Sequence, residues 1–562
     1  MNKYKSLFAS LLLLAAAPAC TDLEEEAFDI LPAGNYYQDE NSIVAAVTRP
    51  YEHAHWNGWD GDRWLLTELT ADQFVWAQKG RHGQDGGNWV RLHRHEWTPD
   101  EGAIYGGWIG PYQGIGQVNV VSEDLAKLDY TNFGLTEADQ ASHINELRVL
   151  RAWFYTFLID YFRSVPIVTK VGQQVGNSTP QEVFTFIETE LKEALPNLPQ
   201  NTVPGRWDQG GAAALLVRIY LNSEAWTGTP RYDDAAVMAQ KIIDGEYGTY
   251  SLDPDYRGPF RSGVDGYRSP ENIFEFPHAR NLYEFGWMYN AMQHYQARYS
   301  LDNNYGGWNG ITLSPSRDLE GNIYDYELGK PYEHYADDDL RKQPFRTIDD
   351  PEKLYEGFFL IGQQYGFNYD KKYGFDSTVV VLGTEEYIGD PLFYVDQVGR
   401  FSEGAAGLAK GSHVETGEEN SGVRLLKFPW LPDSRDLFMT NSAPEIRLAE
   451  IYYALAEAKY RAGDKTGAAE LLDAVRVRNF PADEWAEHSY VQNPGLLTDE
   501  EFVDELGREF LGERHRRTDL VRWGMFGDAW WDKAADAADK TVFPIPARAL
   551  NANPLLKPNG YE

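Results

Sequence analysis

The segment that best indicates the fold class is Arg447-Leu448-Ala449-Glu450-Ile451-Tyr452-Tyr453-Ala454-Leu455-Ala456-Glu457-Ala458. Its apolar residues recur at three- and four-residue spacing. That period is typical of an amphipathic helix. The pattern covers 446–462, and a second helical pattern follows over 465–478. Ala456, Gly463 and Ala468 are small residues that would let two antiparallel helices approach closely, as in tetratricopeptide repeats. On these residues alone, an irregular repeat of this kind and an ordinary helical hairpin are equal alternatives.

Further helices are predicted upstream and downstream of this pair. A second pair covers 212–221 and 232–243. Three helix starts carry capping signals, because a Thr side chain precedes an acidic residue three positions later: Thr136-x-x-Asp139, Thr179-Pro180-Gln181-Glu182 and Thr498-x-x-Glu501. Apolar stripes at helical spacing follow each of them. The chain is therefore predicted to be mostly α.

Two stretches interrupt this pattern and are predicted to be non-helical. The first, 58–99, is rich in Gly, Trp and His, and the second, 253–422, is dense in Gly, Tyr, Asp and Asn. A short strand is predicted within the second, at 378–382, and helices are predicted to resume near Pro444. Irregular segments this long in a compact protein are usually functional.

The N-terminus has the pattern of a lipoprotein signal. Lys3 and Lys5 precede an apolar run over 7–19, which is too short for a membrane-spanning helix of ~20 residues. The run ends at Cys20, the single cysteine of the chain, although Ala17 stands where Leu is usual. We expect Cys20 to be the lipidated N-terminus, with a chance cysteine in an ordinary signal peptide as the alternative. The predicted organisation is a signal peptide at 1–19, a lipidated acidic tether at 20–35, a helical scaffold at 36–250, a loop-rich insertion at 251–440 and a C-terminal helical part at 441–562.

Composition narrows the class of partner. The 562 residues include 86 Asp and Glu against 51 Lys and Arg, a net charge of −35 that would repel nucleic acid and anionic lipid. We therefore expect no nucleic-acid partner, and membrane contact through the lipid anchor only. An apolar fraction of 43% is enough for a large core and excludes general disorder. A single cysteine excludes an intrachain disulfide and cysteine-rich metal sites.

An ordered set of motifs, spread over nearly the whole chain, resembles the SusD/RagB family of Bacteroidetes outer-membrane lipoproteins. The motifs are Trp108-x3-Tyr112-x2-Ile115-x3-Asn119; Glu146-Leu147-Arg148-Val149-Leu150-Arg151-Ala152 with Tyr161 and Val165-Pro166; Gly205-Arg206; the 447–458 segment with Val475-Arg476-x-Arg478; Arg508-Glu509-Phe510-x2-Glu513-x3-Arg517-x-Asp519-Leu520-x-Arg522-Trp523; and Pro544-Ile545-Pro546, Asn553-Pro554 and Asn559-Gly560-Tyr561 at the end. The acidic run 22–26 also resembles the surface-export signal of such lipoproteins. One departure is Arg163-Ser164, where a Gly-Asp pair is commoner.

The resemblance implies a SusD-like fold with four tetratricopeptide-like units and a loop-rich insertion that carries the ligand surface. It further implies a lipid-anchored protein of the outer-membrane cell surface that binds an oligosaccharide and caps a SusC-like TonB-dependent barrel transporter. Enzymatic activity and cofactors are not expected. We expect the charged residues within the helical motifs to form paired, partly buried networks between helices.

Motifs for catalysis and metal binding are weak. The sequence has no Gly-x-Ser-x-Gly elbow and no phosphate-binding Gly-x4-Gly-Lys loop. His93-x-His95-Glu96 lacks a clear third metal ligand, and we expect these histidines to form hydrogen bonds. Asp337-Asp338-Asp339 would allow a structural calcium ion, although a solvated charge run or an Asp-x-Arg helix start is favoured. We predict no catalytic residue and no metal ligand.

Sugar binding needs flat apolar rings surrounded by polar groups that can reach hydroxyls. Two Gly-rich regions supply both, and their candidate glycan-binding residues are Trp76, Arg81, Asp85, Asn88 and Trp89 in the first and Tyr283, Trp287, Tyr289, Trp308 and Asn309 in the second. Each ring has the alternative of packing into the core of its own loop. A binding protein for another nutrient such as peptide, and a secreted glycoside hydrolase, remain alternative functions.

Overall fold

The structure is a computed structural model that describes residues 36–59, 61–79, 83–278, 291–294, 307–347, 355–367, 375–380, 392–398, 412–417, 422–428 and 441–560. Within these ranges the α-helices are α1 Glu40–Ala54, α2 Asp62–Trp64, α3 Asn88–His93, α4 Gly102–Leu125, α5 Glu137–Phe162, α6 Pro180–Ala194, α7 Gln209–Thr227, α8 Tyr232–Ile243, α9 Gly258–Arg261, α10 Leu448–Arg461, α11 Lys465–Arg476, α12 Trp485–His488, α13 Asp499–Glu509, α14 Arg516–Trp523 and α15 Ala547–Ala552.

The three predicted helix starts are confirmed. The Thr136 hydroxyl accepts a hydrogen bond from the Asp139 N–H at 3.2 Å, and the Asp139 carboxylate accepts one from the Thr136 N–H at 2.8 Å. Thr179 and Glu182 form the same reciprocal pair at the start of α6. Thr498 caps α13 through one such bond. Each cap stabilises its helix by about 1 kcal/mol because the first turn has no intrahelical partner for its N–H groups.

Consecutive helices pack against each other as hairpins. The pairs α4/α5, α5/α6, α6/α7, α7/α8 and α10/α11 are in contact, and α8 against α10 joins the two helical parts of the chain. Ala456 and Ala468 are fully buried where α10 meets α11, as the small-residue pattern predicts. The fold is mostly α, an irregular scaffold of tetratricopeptide-like hairpins.

The core is centred on α5. Every residue of this helix from Val149 to Phe162 is buried, because other elements cover the helix on all sides. Trp207, just before α7, stacks on Phe274 with ring centroids 3.8 Å apart and planes 6° apart. Buried aromatic rings of this size remove large apolar areas from water and contribute strongly to stability.

Charged residues inside the scaffold are paired, as expected. Arg447 bonds Glu513 at 2.8 Å, Glu509 at 2.7 Å and Glu271 at 3.0 Å, and all four side chains are buried. The family-motif charges have comparable partners: Arg148 and Arg151 with Glu190, Glu146 with Arg206, Glu450 with Arg218, Glu457 with Arg522, Arg508 with Glu505, and Arg517 with Asp160. Apart from Arg508 with Glu505, which is a pair within α13, these ion pairs join segments that are far apart in the sequence.

Short antiparallel strand pairs accompany the helices. The strands are β1 Phe74–Trp76, β2 Asn272–Phe276, β3 Ile311–Leu313, β4 Arg346–Thr347, β5 Tyr355–Glu356, β6 Phe359–Leu360, β7 Gly362–Gln363, β8 Tyr365–Phe367, β9 Phe375–Val380, β10 Phe393–Tyr394, β11 Arg424–Leu425 and β12 Ala443–Arg447. The pairs are β1/β3, β2/β12, β4/β5, β6/β11, β7/β10 and β8/β9. Strand β9 overlaps the strand predicted at 378–382.

The predictions that 58–99 and 253–422 are non-helical are both wrong in part. The second stretch contains the one-turn helix α9. The stretch 58–99 contains α2, a π-helix at Leu65–Leu69 and α3. Leu65, Leu66 and Leu69 are buried, so packing against the rest of the protein supports a helical backbone there. Among the residues described above, no helix combines the length and hydropathy that crossing a bilayer requires. The predicted domain boundaries stay predictions.

Candidate functional site

Two tryptophans of the first predicted region form a stacked pair. Trp76 ends β1 and Trp89 lies in the first turn of α3, and their rings are 4.3 Å apart with planes inclined by 9°. Trp89 also donates its indole N–H to the Asp85 carboxylate at 2.7 Å. Trp76 is 7% exposed, whereas Trp89 is partly exposed, so Trp89 is the accessible member of the pair.

Local backbone geometry explains how Trp89 is presented. Gly86 and Gly87 have φ of 68° and 78°, a left-handed conformation that glycine adopts without steric cost. They turn the chain directly into α3, whose first two residues are Asn88 and Trp89. The Arg91 guanidinium donates to the Asn88 side-chain oxygen at 2.7 Å and to the Gly86 carbonyl at 2.8 Å. The side chains of Asp85 and Asn88 thus both hold the loop that carries the ring.

Strand pairing brings the second predicted region to the first. Trp76 lies opposite Ile311 in the β1/β3 ladder, and Trp308 and Asn309 lie just before β3, at the end of the ladder where Trp76 ends β1. Gly310 lies so close to the Trp76 ring that an added Cβ would be 2.4 Å from Cε2. Trp308 is 39% exposed and Asn309 is buried with φ of 54°. The described part of the site therefore combines an exposed Trp308 with the Trp76–Trp89 stack.

Two buried cations, which the sequence did not single out, hold this loop in place. The Lys79 side-chain nitrogen donates a hydrogen bond to the Gly310 carbonyl at 2.5 Å. Arg424 donates to the Asn309 side-chain oxygen at 2.6 Å and to the Ile311 carbonyl at 3.1 Å. Burial, with a smaller contribution from the Arg424 charge, holds the pKa of Lys79 well below its usual range. Nothing in the local sequence marks either residue as buried, because only the folded contacts place them under the loop.

The positions of these residues indicate which of them a glycan could reach, and the predicted contacts themselves stay untested. Trp76 is covered by Trp89 and Gly310, so it can act on a ligand by supporting Trp89. Asn309 is buried and bonded to Arg424, so it shapes the loop. The side chains of Trp89, Trp308 and Asp85 remain at least partly exposed. The other predicted residues, Arg81, Tyr283, Trp287 and Tyr289, and the lipidation site Cys20, lie outside the described residues.

The histidines and the acidic cluster have internal partners. His93 pairs its Nε2 with the Trp531 carbonyl at 2.8 Å, and His95 contacts Asp536 and the Thr70 carbonyl, each at 2.8 Å. The expectation that these histidines hydrogen-bond is confirmed. The three consecutive carboxylates face three different cationic or imidazole groups: Asp337 faces Lys342, Asp338 faces His488 and Asp339 faces Arg341. The calcium expectation stays untested.

The fold and this surface define a class: a helical-hairpin scaffold that presents aromatic side chains on loops from distant parts of the chain. A model of the SusD family matches residues 270–561, and a second family model, described as starch-binding and associating with the outer membrane, matches residues 64–221. The chain belongs to the SusD family.

Individual relatives are distant but extend over most of the chain. The Starch-binding protein SusD of Bacteroides thetaiotaomicron is 24% identical over 522 residues, which are 88% of this chain and 84% of that protein. Surface glycan-binding protein A from Bacteroides thetaiotaomicron, solved in complex with laminarihexaose, superposes with a TM-score of 0.61 at 20% identity and covers 93% of this chain and 100% of its own. A laminarin-binding SusD-like protein gives a TM-score of 0.60 at 22% identity, with the same coverage. These similarities establish the shared fold.

Proposed function

We propose that this protein is a cell-surface glycan-binding lipoprotein that captures an oligosaccharide and delivers it to a TonB-dependent outer-membrane transporter. It acts as a binding protein and carries out no reaction. The observation that carries the proposal is the Trp76–Trp89 stack beside the exposed Trp308, in a member of the SusD family. Support from relatives is that one structural neighbour was solved with laminarihexaose and another is named for laminarin binding.

Recognition would rest on ring stacking. The C–H face of a pyranose is apolar, and stacking it on Trp89 or Trp308 removes both surfaces from water. At ~25 cal/mol per Å², one such stack contributes ~1–2 kcal/mol. Trp76 would keep the Trp89 ring in place before the ligand arrives, which reduces the entropy lost on binding. The Asp85 carboxylate is exposed and can accept hydrogen bonds from sugar hydroxyls at the edge of Trp89.

Titration calorimetry with a panel of oligosaccharides, including laminarihexaose and maltoheptaose, tests the proposal. Trp89→Ala and Trp308→Ala should each weaken binding of the identified glycan about five- to thirtyfold, since 1.4 kcal/mol is about tenfold. Trp56→Ala is a matched control, because Trp56 is 65% exposed and lies in the π-helix His55–Trp59, which packs mainly against α1 and α2. Wild-type affinity in both Trp89 and Trp308 variants would place the glycan elsewhere.

Two alternatives give different results in the same assays. A peptide-binding protein would titrate with peptides and with no member of the glycan panel. A glycoside hydrolase would release reducing ends from the polysaccharide that it binds, which a reducing-sugar assay detects.

Delivery to a transporter needs a separate test. We expect the protein to co-purify with a TonB-dependent barrel when native membranes are extracted in mild detergent. Recovery of the protein only as a free monomer, with the barrel in other fractions, would contradict the delivery step and leave the binding proposal standing.

A further inference from the structure

Two histidines from distant segments meet at the base of the loop-rich insertion. His55 begins the π-helix His55–Trp59 that follows α1, and His278 lies two residues after β2. Their Nε2 atoms are 2.8 Å apart, and their ring planes are inclined by 76°. His278 is buried, while His55 is partly exposed, so the pair is close to solvent on one side.

The orientation of His278 is fixed by the backbone. Its Nδ1 lies 2.7 Å from the Asn441 carbonyl oxygen, which can only accept, so Nδ1 carries the proton. The Nε2 lone pair of His278 therefore points at His55. A histidine that donates one ring N–H to a carbonyl and presents the other nitrogen is the usual arrangement of a metal ligand. The edge contact of His55 with Phe276, with planes inclined by 88°, restrains the second ring.

Both rings are held in the neutral form that binds metals. Burial lowers the pKa of His55 to about 4. Burial, with a smaller contribution from His55, holds the pKa of His278 well below its usual range. At neutral pH neither ring carries the second proton that would make it a cation, and the single ring proton of His55 can move between its two nitrogen atoms.

We propose that His55 and His278 form a two-histidine site for a transition-metal dication, with water at the remaining positions. In the metal-bound state the ring proton of His55 moves from Nε2 to Nδ1. His55 stays neutral, so metal binding releases no proton. Among the described residues, no group of three or more His, Cys, Asp or Glu side chains could hold a metal ion, so the proposal concerns these two imidazoles alone. The net charge of −35 favours accumulation of cations at such a site.

The spacing selects a class of metal. With metal–nitrogen bonds of ~2.0–2.1 Å, two nitrogen atoms 2.8 Å apart subtend an angle of ~85–90°. That angle suits adjacent positions in a square-planar or octahedral complex, the geometry of Cu²⁺ or Ni²⁺, whereas tetrahedral Zn²⁺ would require the nitrogen atoms to separate. A bound ion would also link the end of α1 to β2 and, through Asn441, to the segment before β12.

Copper titration of untagged protein tests the site. Calorimetry with Cu²⁺ should show one equivalent, and electron paramagnetic resonance should show hyperfine splitting from two nitrogen ligands. His55→Gln should weaken this binding at least about tenfold and remove the two-nitrogen signal. His278→Gln is the second variant, but its buried position makes His55→Gln the decisive one.

His143→Gln is the matched control, because His143 is also a partly buried histidine with a hydrogen bond, to Tyr130 at 3.3 Å. It should bind Cu²⁺ like the wild type. The proposal is overturned if His55→Gln binds Cu²⁺ as tightly as the wild type, or if the wild type shows no two-nitrogen signal. Glycan titration of the same variants is expected to be unchanged, so the two proposals fail independently.

Discussion

Replacing Glu445 by Gln should destabilise the protein more than any surface charge change. Glu445 is buried in β12 and accepts hydrogen bonds from Arg63 at 2.8 and 2.9 Å, Arg218 at 2.9 Å and Arg514 at 3.3 Å. Trp153 donates to the same carboxylate at 3.0 Å. Gln keeps the shape of the side chain and removes its charge.

The magnitude follows from what the change leaves behind. Three guanidinium groups would face a neutral amide in the interior, and removing one partner of a buried ion pair costs about 3–5 kcal/mol. Arg218 retains Glu450 at 2.8 Å, so Arg63 and Arg514 carry most of the loss. We expect the free energy of unfolding to fall by about 4 kcal/mol.

The effect should depend on pH in a defined direction. Burial alone would raise the pKa of Glu445, but Arg63, Arg218 and Arg514 together hold it well below its ordinary value of 4.5. A depressed carboxylate pKa contributes stability above the unfolded-state value, and that stability is lost as the pH falls towards the folded-state value. The difference between wild type and Glu445→Gln should therefore be full at pH 7 and shrink below about pH 4.5.

Equilibrium urea unfolding at pH 7 measures this difference. The control is Glu246→Gln, because Glu246 pairs with Lys241 at 3.1 Å while both side chains are 39–50% exposed. Exposed pairs contribute about 0–1 kcal/mol, so the control should unfold near the wild type. If Glu445→Gln also unfolds within about 1 kcal/mol of the wild type, the buried network does not hold the scaffold as argued.

Three further changes have defined outcomes. Gly310→Ala should lower stability by about 1–3 kcal/mol and weaken glycan binding, because its Cβ would collide with Trp76, whereas Gly116→Ala has open space and should be tolerated in urea unfolding and calorimetry. Burial raises the pKa of Glu68 to about 8, so its contribution to wild-type stability should fall as pH rises from about 5 to 8. Glu68→Gln should reduce the fall of the melting temperature over this pH range, and an unchanged slope would contradict the assignment. Cys20→Ala should move the protein from the membrane to the soluble fraction of cells, and a variant that stays in the membrane would refute lipidation at Cys20.

Local signals in the sequence predicted the helical scaffold well. The caps at Thr136, Thr179 and Thr498 act within four residues, so the side chains that start each helix are adjacent in the sequence. The structure of segment 58–99 is harder to predict from the sequence. The backbone of Leu65–Leu69 forms a π-helix whose leucine side chains are buried against other elements. Composition alone cannot report such packing.

The candidate site was predicted by residue type and only partly by arrangement. Glycine and tryptophan content identified both loop regions, but the pairing of Trp76 with Ile311 joins residues more than two hundred positions apart. That pairing decides which ring is covered and which is exposed. The buried cations Lys79 and Arg424 depend on the same long-range contact, since each donates to the 309–311 segment.

The attachment of the insertion to the scaffold explains how loops from distant segments can keep one geometry. The chain leaves the N-terminal helices through β2 and returns through β12, and these two strands pair with each other. Arg447 at the end of β12 is bonded to Glu271 just before β2 and to two glutamates around the end of α13. This buried charge network therefore fixes both ends of the insertion relative to the helices, and the β1/β3 ladder joins the segment before Ile311 to the one that ends at Trp76.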